Sequence, residues 1–107
     1  MARVIALALT LALVGVLMLS TSASAGRLKR CSVKDVGALV YVNRSTSCGM
    51  AAATVRAYER VTGGEIRKAR VRVRNPSNRR RYTMRCEQPD FMTVECRSGR
   101  YLVEISY

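Results

Sequence analysis

Several stretches between Ala69 and Ile105 alternate apolar and polar residues, and this period of two restricts the fold more than any other feature. Ala69, Val71 and Val73 share one parity, and Arg70, Arg72 and Arg74 share the other. Successive strand side chains point to opposite faces, so the stretch reads as a strand with one apolar and one arginine face. "NPSN" (75–78) places proline where a type I turn takes it. A hairpin closed by that loop sets Arg74 against Arg79, Arg72 against Arg81 and Arg70 against Thr83. It also sets Val71 against Tyr82 and Ala69 against Met84, which keeps both faces consistent. Met92, Val94 and Cys96 continue the alternation, and "SG" (98–99) has the length of a two-residue hairpin turn. That turn predicts Cys96 opposite Tyr101, Val94 opposite Val103 and Met92 opposite Ile105.

Ahead of the alternating region the period changes. In "STSCGMAAATVRAYERVTGG" (45–64), Ala51, Val55, Tyr58 and Thr62 recur at helical spacing. Ser47 or Thr46 can cap the first turn, and Gly63-Gly64 supply a left-handed stop. Residues 36–43, "VGALVYVN", are apolar on both parities, the pattern of a strand buried on both sides. The expected class is α+β: one helix packed on a mostly antiparallel sheet of four to five strands, four of them a meander.

The N-terminus reads as an address. Arg3 precedes an apolar run over residues 4–19, and a small polar stretch ends in Ala23-Ser24-Ala25. This is the order of a secretory signal with an A-x-A cleavage site. The run is shorter than the roughly 20 residues of a spanning helix. Cleavage after Ala25 leaves 107 − 25 = 82 residues. Residues 26–35 are then a basic arm, of which "GRLKR" (26–30) is expected to be mobile as termini usually are, and residues 36–107 form a single small domain. The expected location is outside the cell, secreted or at the envelope, with no stable membrane span.

A domain this small buries a limited core and tends to carry covalent staples. Cys31, Cys48, Cys86 and Cys96 all follow the leader, and an even count in an exported domain reads as two disulfides. Four cysteines allow three connectivities; Cys31–Cys48 with Cys86–Cys96 closes the shortest loops. The spacings of 17, 38 and 10 lack the close pairs of a zinc site, so neither metal nor cofactor is expected.

Ser47-Cys48 followed by Ala51, Ala52, Val55 and Ala57-Tyr58, then "YTMRC", "VECRSG" and a closing "YLVEISY", resembles a group of small secreted, disulfide-containing proteins of high-GC Gram-positive bacteria. The likeness spans residues 47–107. It implies a bacterial exported protein of this fold and no particular activity.

Little in the chain points to catalysis. There is no histidine, which removes the commonest general base and the usual nucleophile pairs. Glu95 and Glu104 are expected near one another on the outer face, offset by about two residues, with Glu87 close by. Charge balance among arginines is the simpler role for them, because carboxylate chemistry asks for a shielded pocket. No enzyme is expected.

Charge is the outlying property. Without Arg3 the exported part carries 18 basic and 7 acidic residues, a net of 18 − 7 = +11. Arg70, Arg72, Arg74, Arg79, Arg80, Arg81 and Arg85 form a candidate anion-binding patch for an envelope polymer or extracellular nucleic acid, without base specificity. The competing reading is a solvated face that guards an exposed strand against aggregation. A second class of function is a protein partner, in the manner of a protease inhibitor or a toxin-like effector. "EQPDFM" (87–92), between Cys86 and Cys96, would present Pro89 and Phe91 to it. An ordinary hairpin loop with Phe91 folded onto the core is the simpler expectation there.

Overall fold

The alternating region forms four antiparallel strands, as predicted, within a larger sheet than predicted. A computed structural model describes residues 27–107; the expected export signal lies outside them. The elements in chain order are β1 (Lys29–Cys31), β2 (Leu39–Val42), α1 (Cys48–Thr62), β3 (Ala69–Arg74), β4 (Arg81–Asp90), β5 (Thr93–Ser98) and β6 (Tyr101–Ser106). They make one helix and one antiparallel six-stranded sheet, ordered β1-β2-β6-β5-β4-β3. The class is α+β. The strand beyond the expected count is β1, drawn from the basic arm, with Lys29 and Arg30 from the part expected to be mobile. It pairs with β2, and the Cys31–Cys48 disulfide ties it to the start of α1. Among the described residues no helix is long and apolar enough to cross a membrane.

One face of the sheet carries the core. Val40 and Val42, Val71 and Val73, Met84 and Cys86, Val94 and Cys96, and Val103 and Ile105 are all buried. Helix α1 covers them with Met50, Ala51, Thr54, Val55 and Tyr58. Each fully buried aliphatic or Met side chain contributes about 1.5–3 kcal/mol relative to exposure. The expected helical stripe is therefore the buried face. Ser47 caps α1, its Oγ accepting the Met50 N–H at 3.1 Å. Gly63 ends it at φ 66°, its N–H donating to Glu59 O at 2.8 Å. The Tyr58 hydroxyl accepts the Arg67 N–H at 2.8 Å and donates to Arg67 O at 2.6 Å, which fixes the path from α1 into β3. In β2 only one parity is buried: Leu39 is exposed and Tyr41 half-buried, so this strand is not sandwiched as its composition predicts. The other side of the sheet faces solvent.

Two predicted registers are corrected, each by two residues. Arg74 pairs with Arg81, Arg72 with Thr83, Arg70 with Arg85 and Ala69 with Cys86. The four-residue loop is 76–79 rather than 75–78. Asn75 stays in the ladder, donating its N–H to Arg80 O at 2.8 Å, and its Oδ1 accepts the Ser77 N–H at 3.0 Å. Arg79 takes the left-handed conformation (φ 60°) that closes the loop. In the last hairpin Ser98 pairs with Tyr101, Cys96 with Val103 and Val94 with Ile105. The turn is Gly99-Arg100, with Gly99 at φ 53° in the first central position, as a type II′ turn requires.

The second disulfide, Cys86–Cys96, joins directly opposed residues of β4 and β5 with Cα atoms 3.9 Å apart. Of the three connectivities, the one closing the shortest loops is the one formed.

Candidate anion-binding surface

The solvent face of β3, β4 and β5 is assembled from arginine rows. Arg70 lies opposite Arg85, Arg85 lies opposite Arg97, and Arg74 lies opposite Arg81. Arg72 sits between them opposite Thr83. The Asn75 N–H bond to Arg80 O sets the phase of the β3–β4 ladder. Alternation along it then makes Arg74–Arg81 and Arg70–Arg85 non-hydrogen-bonded pairs, whose Cα atoms approach to about 4.5 Å. Neighbours along one strand on this face are about 7 Å apart. Directly opposed like charges each destabilise a sheet by about 0.2–1 kcal/mol.

Counter-charge is sparse. Among the described residues the ion pairs are Arg67–Glu65 at 3.8 Å, Lys68–Glu87 at 3.7 Å and Arg97–Glu95 at 3.2 Å. Arg70, Arg72, Arg74, Arg81 and Arg85 are in none of them, and all five are exposed.

Of the seven predicted patch residues, these five share the sheet face. Arg79 and Arg80 do not. They belong to the β3–β4 loop, exposed at one end of the face, and Arg80 has the parity of the inward residues Tyr82 and Met84. Arg97 was not among the predicted patch residues, although it shares this face opposite Arg85 and pairs with Glu95. Arg56 and Arg60, exposed on α1 beside β3, were also missed. Their spacing of four residues puts them on one side of a helix, a signal available in the sequence. Tyr82 points inward as predicted and packs edge-on to Tyr101, ring centroids 4.9 Å apart. It is committed to the core side rather than to stacking on a base.

Beside the arginine rows runs an acidic one. Glu87 lies opposite Glu95 and Glu95 lies opposite Glu104. The expected offset between Glu95 and Glu104 disappears because the turn is Gly99-Arg100. Lys68 and Arg97 each bond one member of the row. Burial pushes the Glu104 carboxyl above its usual range, reinforced by the Glu95 and Asp90 charges. Glu95 and Glu104 border a depression of about 270 Å³ that also takes in Leu28 and Asn43.

The β4–β5 hairpin ends differently from expectation. Phe91 is 79% exposed, so it is not folded onto the core. A bulge between Glu87 and Asp90 places one extra residue in β4 around Pro89, a position that tolerates a missing N–H. Beyond it Asp90 pairs with Thr93, and Asp90 Oδ1 accepts the Met92 N–H at 2.9 Å. The turn is thereby closed at Phe91-Met92, whose side chains stand beyond the core.

Comparison with family models, with curated proteins and with solved structures finds no match to this chain.

Proposed function

We propose that this is an exported, non-enzymatic basic module that binds a phosphodiester polymer, envelope or nucleic acid, through the arginine face of β3, β4 and β5. One observation carries the reading: Arg70 and Arg85, and Arg74 and Arg81, are opposed as like charges across β3 and β4 and belong to none of the ion pairs of the described residues, at a cost in stability that an anionic chain would relieve. A face kept only for solubility mixes signs along a strand, whereas the outward positions of β3 are Arg70, Arg72 and Arg74 in succession, with no acidic residue among them. Arginine suits the role because its planar fork meets phosphate oxygens in pairs. The predicted leader and the two disulfides support an oxidising, extracytoplasmic setting.

The test is a titration of the oxidised protein with single-stranded DNA and with poly(glycerol phosphate). Four phosphate contacts give a salt slope of about −3 on a single strand, so affinity falls about 50-fold between 50 and 200 mM salt. Replacing Arg70, Arg72, Arg74 and Arg85 by serine should abolish that dependence. Salt-insensitive binding, or binding shared by the variant, rejects the reading.

A second reading rests on Phe91. An exposed aromatic in a disulfide-flanked hairpin has the form of an anchor for a protein partner. The β4–β5 tip would then be the contact, with Pro89 stiffening its approach. Loss of a partner by Phe91→Ser in a folded protein would support it, and retention would reject it.

A further inference from the structure

Five arginines from α1 and the β3–β4 hairpin border one groove at the open edge of β3. Arg56 and Arg60 stand one turn apart on α1, and Arg72, Arg74 and Arg81 come from the neighbouring hairpin. Ala53 and Ala57 form the helix side of the floor, and their small side chains leave the groove open, with a volume of about 460 Å³. No carboxylate borders it, and none of the five is among the ion pairs of the described residues. Glu59, between the two helix arginines in sequence, accepts a hydrogen bond from the Tyr107 hydroxyl at 3.5 Å instead. Strand β3 ends the sheet, so no further strand separates the groove from the arginine face. Arg72, Arg74 and Arg81 belong to both.

We infer that this groove is a discrete phosphoryl seat, in which α1 and β3 grip one phosphate of a chain that then continues over the edge of β3 onto the outer face. The inference rests on the polymer reading above and adds to it a defined anchor point and a preferred group. A planar carboxylate offers its two oxygens to one guanidinium fork. A phosphoryl group presents oxygens in several directions and accepts from both walls together. Lysine should serve such a seat less well than arginine, because an ammonium holds phosphate as a point charge without the fork. A diffuse electrostatic field would not distinguish the two.

The experiment uses the oxidised protein with three probes: inorganic phosphate, single-stranded DNA and poly(glycerol phosphate). Phosphate, but not the same concentration of chloride, should shift the amide resonances of Ala53, Ala57 and residues 72–74 in a saturable way. Arg56→Ser with Arg60→Ser should remove those shifts and lower affinity for both polymers about tenfold, with the salt slope reduced by about 1. Arg56→Lys with Arg60→Lys should lose affinity as well. Both positions are exposed and outside the ion pairs, so the thermal midpoint should stay put and serve as the folding control. Lysine variants that bind like the wild type would overturn the seat, as would phosphate shifts spread evenly over all basic residues. If Arg70→Ser with Arg85→Ser abolishes polymer binding while the helix variants retain it, the groove fails and the face reading stands. If neither polymer binds the wild type the face reading fails, and the phosphate shifts alone still decide the groove. The DNA and poly(glycerol phosphate) arms separate the two sources of the same chemistry.

Discussion

Arg85 faces an arginine on each side, Arg70 across β3 and Arg97 across β5, so replacing it by threonine should stabilise the protein. Threonine suits a strand and already occupies the equivalent place opposite Arg72, at Thr83. Removing an opposed like-charge pair recovers about 0.2–1 kcal/mol. The Arg70 side should return the fuller part of that range. The Arg97 side should return less, because Glu95 lies 3.2 Å from its guanidinium. Together they come to about 1 kcal/mol, which for a domain of this size raises the melting temperature by about 4–8 °C. The gain should be seen by calorimetry of oxidised protein at about 10 mM ionic strength, where the Debye length is about 30 Å, and should fade near 1 M, where it is about 3 Å. The wild type with single-stranded DNA should gain more than the variant does. An unchanged or lower melting temperature at low salt would refute the idea that these guanidinium groups repel one another. A gain that persists at 1 M salt would show that strand propensity, not charge, is responsible. In either case the face stores no charge cost.

Three other perturbations have definite expected outcomes. A Cβ at Gly49 would meet Pro76 Cγ at 2.9 Å. Gly49→Ala should therefore destabilise, since overpacking costs about 1–3 kcal/mol and outweighs a helix-propensity gain of at most about 1. The loss should vanish when Pro76 is also alanine, as denaturant unfolding of both variants would report. Glu104 has its folded pKa raised above the ordinary value of 4.5, so the folded state holds the proton more tightly than the unfolded chain. Stability attributable to this group falls as pH rises through the window above 4.5. Glu104→Gln should accordingly raise the melting temperature at pH 7 and leave it unchanged near pH 3; an equal gain at both would reject the assignment. Phe91→Ser should alter stability by less than about 0.5 kcal/mol, because an exposed side chain away from the core contributes little. A loss above about 1 kcal/mol would contradict the exposed position of this ring.

Some of the architecture was readable in residue order because it depends on local periodicity. The parity of Val71, Val73, Met84 and Cys86 determines which face is buried, since side chains must alternate along any strand. The spacing of Ala51, Val55, Tyr58 and Thr62 determines the buried side of α1, and Ser47 and Gly63 its ends. Other features were misread although a signal was present. Gly99 in a two-residue loop points to Gly99-Arg100, because a type II′ turn needs its glycine first. Arg56 and Arg60 announce themselves by their spacing of four.

What parity cannot do is choose between registers that differ by two residues, since both keep the same faces inward and outward. Tertiary structure made that choice, through the Asn75 ladder bond to Arg80 and the left-handed Arg79, and with it decided which arginines oppose each other. The same holds for β1, which exists because β2 offers an edge and Cys31 is bonded to Cys48. It also holds for Phe91, carried past the core by a bulge at Pro89. The groove between α1 and β3 joins side chains from three elements, and a grouping of that kind is a product of packing. An α+β domain with an arginine face follows from residue order alone. Only the packed chain decided which guanidinium groups meet, because their meeting depends on contacts between residues distant along the chain.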